Sequence, residues 1–189
     1  FIPAIQLDKA FASLAYALGT AFKETPGELW PEDVFDQWAQ TVFIHQFETN
    51  PVYAAYVRKR DVMPSTVAHW SEIPRVPATA FKAVALVSGD SSRVQRVFRT
   101  SVTTDAGRRG EHHVLDLGLY EDALIPNMRR HLYRDGQGGD GPDGDGPRRP
   151  ILALKPAPAA MPESSLSYML DAALNVLSGG EGGFFVTRD

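Results

Sequence analysis

The spacing of apolar residues changes character partway along this chain, and that change most constrains how it can fold. Over residues 8 to 24, Phe11, Leu14, Ala15, Leu18 and Phe22 recur at the spacing of one helical face. From Pro31 to Phe47 the residues Val34, Phe35, Trp38, Val42 and Phe43 repeat it. Pro31 suits a helix start, and Glu32 and Asp33 suit the positive end of the helix dipole in the first turn. A shorter helical stretch runs from Pro51 to about Arg60, and the aromatics of these helices read as core. Beyond residue 70 the apolar runs shorten. Val84–Val87, Val94–Arg99, Ile151–Leu154 and Gly182–Val186 read as strands, the second by alternation and the third as a buried one. Pro74 and Pro77 hold Ile73 and Val76 in an extended path. Leu119–Tyr133 reads as a helix with Pro126 as a kink, and Ser164–Leu177 as a helix opened by serine caps. Strands alternating with helices predict an α/β fold with a helical lead-in. Residues 1–70 form the lead-in and 71–189 the α/β portion. Residues 135–150, a glycine, aspartate and proline run, read as a flexible surface loop.

Composition narrows the function classes. With 189 residues and 43% hydrophobic content the chain can bury a core. A net charge of −4 speaks against a nucleic-acid footprint or a polybasic membrane patch. There is no cysteine, which excludes disulfides, thiolate metal sites and a cysteine nucleophile within this sequence. No apolar run reaches the ~20 residues of a membrane span, and the opening Phe1-Ile-Pro lacks the basic region of a signal peptide. The expectation is a cytoplasmic protein. The sequence begins without Met and stops just after a strand, so both ends are expected to be cut and the α/β domain incomplete.

The informative segment is the strand, polar loop and helix from Val94 to Tyr133. Thr100, Ser101, Thr103 and Thr104 can each donate a hydroxyl to a phosphate oxygen, and Gly107 and Gly110 free the loop backbone to turn its amides toward an anion. Arg108 and Arg109 can neutralise phosphate charge. A helix beginning behind the loop would add its dipole. A polar surface turn has the same composition, so the loop alone leaves both readings open.

Residue order adds to this. Thr100-Ser-x-Thr-Thr-x-x-x-Arg-x-Gly-x-His112, followed by Asp116 and Leu119-Tyr120, resembles the LuxE-type acyl-protein synthetases. These stand with the phenylacetate–CoA ligases in the adenylate-forming superfamily. The resemblance extends upstream through Ile73-Pro-x-Val-Pro-x-x-x-Phe81-Lys82 and Phe98-Arg-Thr, and downstream through Pro162-Glu-Ser-Ser-Leu-Ser-Tyr-Met169. It covers most of the chain from about residue 70 onward, and the helices before it more weakly.

The resemblance implies the nucleotide-binding part of the adenylate-forming large domain. A fatty or other carboxylic acid attacks the α-phosphate of ATP, with Mg2+ on the phosphates, and the acyl-adenylate passes its acyl group to a protein thiol. An acyl reductase or acyl carrier is the implied partner. Carried over by position, Thr100, Ser101, Thr103, Thr104, Gly107, Arg109 and Gly110 are the phosphate loop, and His112 the polar group near the acyl-phosphate. Tyr120 is expected to pack its helix. Val102 stands where the relatives carry glycine, and Asp105 near a second such position. These departures favour a noncatalytic nucleotide-fold module acting through protein contacts, whereas the hydroxyl run and the spaced motifs favour the ligase. A phenylacetate-type CoA ligase is the third reading. The elements for adenine and ribose are expected elsewhere, so this chain alone is not expected to adenylate.

Other patterns carry less. His112-His113 has no ligand at metal spacing. Gly138–Asp143 is a single, imperfect copy of a calcium repeat, Gly179–Gly183 reads as a helix-to-strand turn, and Ser88–Ser92 as a turn.

Overall fold

A computed structural model describes residues 4–25, 29–100, 108–132, 150–178 and 181–187. Within them the fold is mixed α/β with helix predominant. It divides into two compact units, one of Phe1–Leu18 with Glu28–Leu117, the other of Gly19–Gly27 with Gly118–Asp189.

In the first unit, α1 (Ala4–Glu24, shared with the second unit), α2 (Glu32–Thr49) and α3 (Pro51–Arg58) follow the helical periodicity of the sequence. Asn50 ends α2 and starts α3. Its N–H bonds to Gln46 O and its Oδ1 accepts from Tyr53 N at 3.0 Å, with Pro51 at the first helical position. The core here is Phe43, Phe47, Tyr53, Ala54, Val57 and Val67. Phe35, expected in the core, is 42% exposed and stands edge-on to Trp70. Ile73 has extended angles, as expected, and two phenols hold the Pro74–Arg75 segment after it. Tyr53 OH donates to Pro74 O at 2.9 Å, and Tyr56 OH to Arg75 O.

Val84–Val87 is not a strand. A single helical turn, α4 (Ala80–Ala83), precedes it, and Val84 has extended angles, but among the described residues no second strand supplies ladder bonds. Val94–Arg99 does supply a strand, β1 (Arg96–Arg99). It pairs antiparallel with β2 (Glu111–Val114), from Arg96↔Val114 to Arg99↔Glu111. The polar loop therefore closes a β-hairpin. The helix expected directly behind it, α5 (Leu117–Leu132), begins beyond the far end of β2, where Leu117 N donates to Gln95 Oε1 at 2.9 Å. Its N-terminus lies at the hairpin end remote from the loop, so the expected dipole contribution does not apply there. Ser88–Ser92 is the expected turn, with Asp90 capping it through Ser92 N.

In the second unit β3 (Ile151–Ala153), α6 (Ser165–Val176) and β4 (Gly182–Phe184) form a parallel βαβ unit. Ser164 caps α6 through Ser167 N, as its sequence promised. Leu124 and Met128 of α5, Ala173 and Leu177 make the core, with Tyr120 packed against it, also as expected. α5 continues through Pro126, which withholds one backbone donor. The strand expected to be buried is only half so. Ala153 is buried, but Leu152 and Leu154 are 65% and 79% exposed, because α6 covers one face and successive side chains alternate. Residues 135–149 of the expected flexible loop lie outside the described residues.

Candidate functional site

Ser101, Thr103, Thr104 and Gly107, with Val102 and Asp105, lie outside the described residues. Thr100, Arg109, Gly110 and His112 can be placed. Thr100 and Gly110 extend the hairpin by one rung. Thr100 N donates to Gly110 O at 3.0 Å, and Gly110 N donates to Thr100 Oγ1 at 2.9 Å. The Thr100 hydroxyl thus accepts within the neck of the loop and keeps its own proton to donate. Arg109 spans the same neck, with Nε donating to Thr100 O at 2.7 Å and Nη2 to Arg99 O at 3.4 Å. The sequence-expected Thr100, Arg109 and Gly110 therefore converge.

His112 stands apart from them. It pairs with Phe98 across the hairpin, and its ring meets Phe81 edge-on at 6.4 Å. Apolar surroundings hold its pKa below the ordinary histidine value, and the neighbouring His113 adds to this. His112 is a neutral imidazole at neutral pH, able to accept or donate a hydrogen bond but not to neutralise phosphate charge.

Beside the neck lies an open groove of about 460 Å³, lined by Phe81–Ala85, Arg99, Arg108, Arg109 and Glu111. Among the described residues four cations, Lys82, Arg99, Arg108 and Arg109, line it against one carboxylate, Glu111. Alternation along the strands puts Arg99 and Glu111 on the same face of the hairpin, where they pair at 2.9 Å. The Arg99 guanidinium hydrogen-bonds the Glu111 carboxylate and holds its pKa below the usual range. Arg108 Nη2 donates to Ala83 O at 3.1 Å, which ties the loop to the end of α4. Backbone carbonyls position the Arg108 and Arg109 guanidinium groups along this wall of the groove.

Arg108 and Arg109 were legible in the sequence as phosphate-neutralising residues. Arg99, Lys82 as a groove cation, and Glu111 were not. The alternation of Arg96-Val-Phe-Arg99 was the available signal for Arg99, since it sets that side chain opposite buried Phe98.

Among the described residues no group of three or more His, Cys, Asp or Glu could hold a metal ion. None of the described helices is long and apolar enough to cross a membrane. Comparison of the chain with protein-family models, with curated proteins and with solved structures finds no match.

Proposed function

We propose that this chain binds the triphosphate of ATP at the hairpin neck and its groove, as the nucleotide-binding part of an enzyme that activates a fatty or other carboxylic acid as its acyl-adenylate. The observation that carries the reading is the groove, where among the described residues three arginines and a lysine face one carboxylate beside a hydroxyl-rich loop. A carboxylate is a poor electrophile, and its mixed anhydride with phosphate is a good one. The work such a site must do is to hold the pyrophosphate leaving group and take up its charge while the α-phosphate is attacked. Thr100 and the loop hydroxyls Ser101, Thr103 and Thr104 would donate to phosphate oxygens, Gly107 and Gly110 would let the backbone approach, and the groove arginines would neutralise charge. Magnesium would enter with the nucleotide, bound mainly by its phosphates and water. The acyl group would then pass to a thiol, on a reductase or carrier partner or elsewhere in the complete protein, since this sequence has no cysteine. The adenylate-forming fold and the LuxE-type family belong to this proposal, resting on the spaced motifs of the sequence.

A second reading, a noncatalytic nucleotide-fold module, is favoured by the start of α5 at the far end of the hairpin, where its dipole cannot assist the loop. Carboxylate-dependent exchange of pyrophosphate into ATP, run on the complete gene product with a panel of carboxylic acids, separates the two. Exchange with at least one acid is expected. Its absence with every acid, in a preparation that still binds ATP, would leave the second reading standing.

A further inference from the structure

We infer that Lys82, on α4 and outside the loop, is a direct phosphate ligand of this site. The inference rests on the triphosphate reading above and adds a residue from a separate element.

Three of the four groove cations are engaged. Arg99 pairs with Glu111, Arg108 is held by Ala83 O, and Arg109 by Thr100 O and Arg99 O. No hydrogen bond or ion pair engages the Lys82 ammonium among the described residues. Its stem lies over the closing rung of the loop, for a Cβ built on Gly110 would sit 3.5 Å from Lys82 Cγ and 3.3 Å from Thr100 Cγ2. The side chain is exposed, and α4 is one turn long, too short for a helix-dipole role to account for a cation at its end. Lys82 therefore has its stem beside the neck and, among the described residues, no partner to surrender when an anion arrives. An ammonium of that kind makes a compact point charge for a phosphate oxygen, complementing the planar guanidinium groups that frame the groove.

Phosphate could come from ATP, from pyrophosphate or from coenzyme A, and the test separates them. Binding of each is measured by titration calorimetry on the whole chain, for wild type, Lys82→Met, Lys82→Arg, and Lys59→Met as a charge-matched control on the exposed turn after α3. Lys82→Met is expected to weaken ATP and pyrophosphate at least about tenfold, the scale of one charge-assisted hydrogen bond. Lys82→Arg should recover most of that, and Lys59→Met should bind as wild type. Thermal melting checks that each variant is folded. Wild-type affinity in Lys82→Met, with wild type binding ATP, overturns the Lys82 assignment and leaves the triphosphate reading intact. Failure of wild type to bind ATP, pyrophosphate or coenzyme A overturns both. Binding of coenzyme A alone, weakened by Lys82→Met, keeps Lys82 as the phosphate ligand and overturns ATP as its source.

Discussion

Among the described residues of the second unit Gly182 has the tightest backbone surroundings, and its replacement by alanine has a cost that can be worked from the geometry. Gly182 has φ +110°, a conformation that side-chain-bearing residues seldom adopt. Holding a non-glycine residue in such a region costs about 1–3 kcal/mol. A Cβ there would fall 2.1 Å from Ile151 O, 2.7 Å from Ile151 N and 2.8 Å from Ile151 C. These are backbone atoms of the facing strand, so no rotamer change relieves the overlap and β3 and β4 must part. The bonds at risk are Ile151 N to Glu181 O at 3.1 Å and Phe185 N to Ala153 O at 3.0 Å. At about 1 kcal/mol for each lost bond, the total comes to about 3–5 kcal/mol. That is a large fraction of the roughly 5–15 kcal/mol that holds a domain folded. Urea denaturation followed by circular dichroism, with amide exchange at Phe185, measures it. Gly183→Ala is the internal control, because a Cβ at Gly183 meets nothing closer than Phe185 Cε2 at 3.9 Å. It should unfold at or above the wild-type midpoint, since alanine restricts the unfolded chain. Equal midpoints for Gly182→Ala and wild type, or equal losses in the two variants, would refute the reasoning.

Two further outcomes follow from the first unit. Asn50→Ala removes the side chain that caps α3 from a site only 5% exposed, and should cost about 1–2 kcal/mol in chemical denaturation, with Asn50→Asp retaining most of it. His45 stacks on Phe11 at 5.7 Å and has a buried Nε2 without a hydrogen-bond partner. Burial lowers its pKa, and Glu48 opposes this more weakly. The unfolded chain then takes up the proton first on acidification, so this contribution to stability is whole above about pH 6.5 and is lost as pH falls from there to the folded value. Urea midpoints should drop between about pH 7.5 and 5.5, and drop less in His45→Phe. An undiminished drop in that variant would move the effect elsewhere, His112 being the other histidine with a lowered pKa.

Elements fixed by local chemistry were legible in the sequence. Pro51 behind Asn50, Ser164 ahead of Ser167, and the stripe ending in Phe43 each act within a turn or two of chain, and α3, α6 and α2 followed. Elements fixed by a partner were not. Val84–Val87 has a strand's composition and lacks a second strand among the described residues, whereas Glu111-His-His-Val114 has only Val114 of a strand's usual composition and pairs along its whole length with β1. The groove follows the same division. Arg109 and Gly110 stood out because they share a short loop with Thr100. Lys82 is distant from them in sequence and joins them only because α4 packs on the neck of the hairpin.

The hairpin also changes what kind of anion site the loop can be. A loop leading straight into a helix draws on a fixed dipole and a row of unpaired amides, which together favour an anion whatever the nearby side chains. Here the first amide of α5 is taken by Gln95 at the other end of the hairpin, and the neck amides of Thr100 and Gly110 are taken by each other's oxygens. The described neck thus has little backbone left to offer, so in the proposed triphosphate reading its contribution would come from the side chains of Lys82, Arg99, Arg108 and Arg109. Charge held on side chains at an open groove is screened by salt within a Debye length of about 8–10 Å, far more than an enclosed nest of amides would be. Such a site gains its selectivity from the number and placement of cations, so it should favour a chain of phosphates over a single one. On the proposed reading, the cations of the groove would therefore match the charge of a polyphosphate better than the shape of a lone phosphate group.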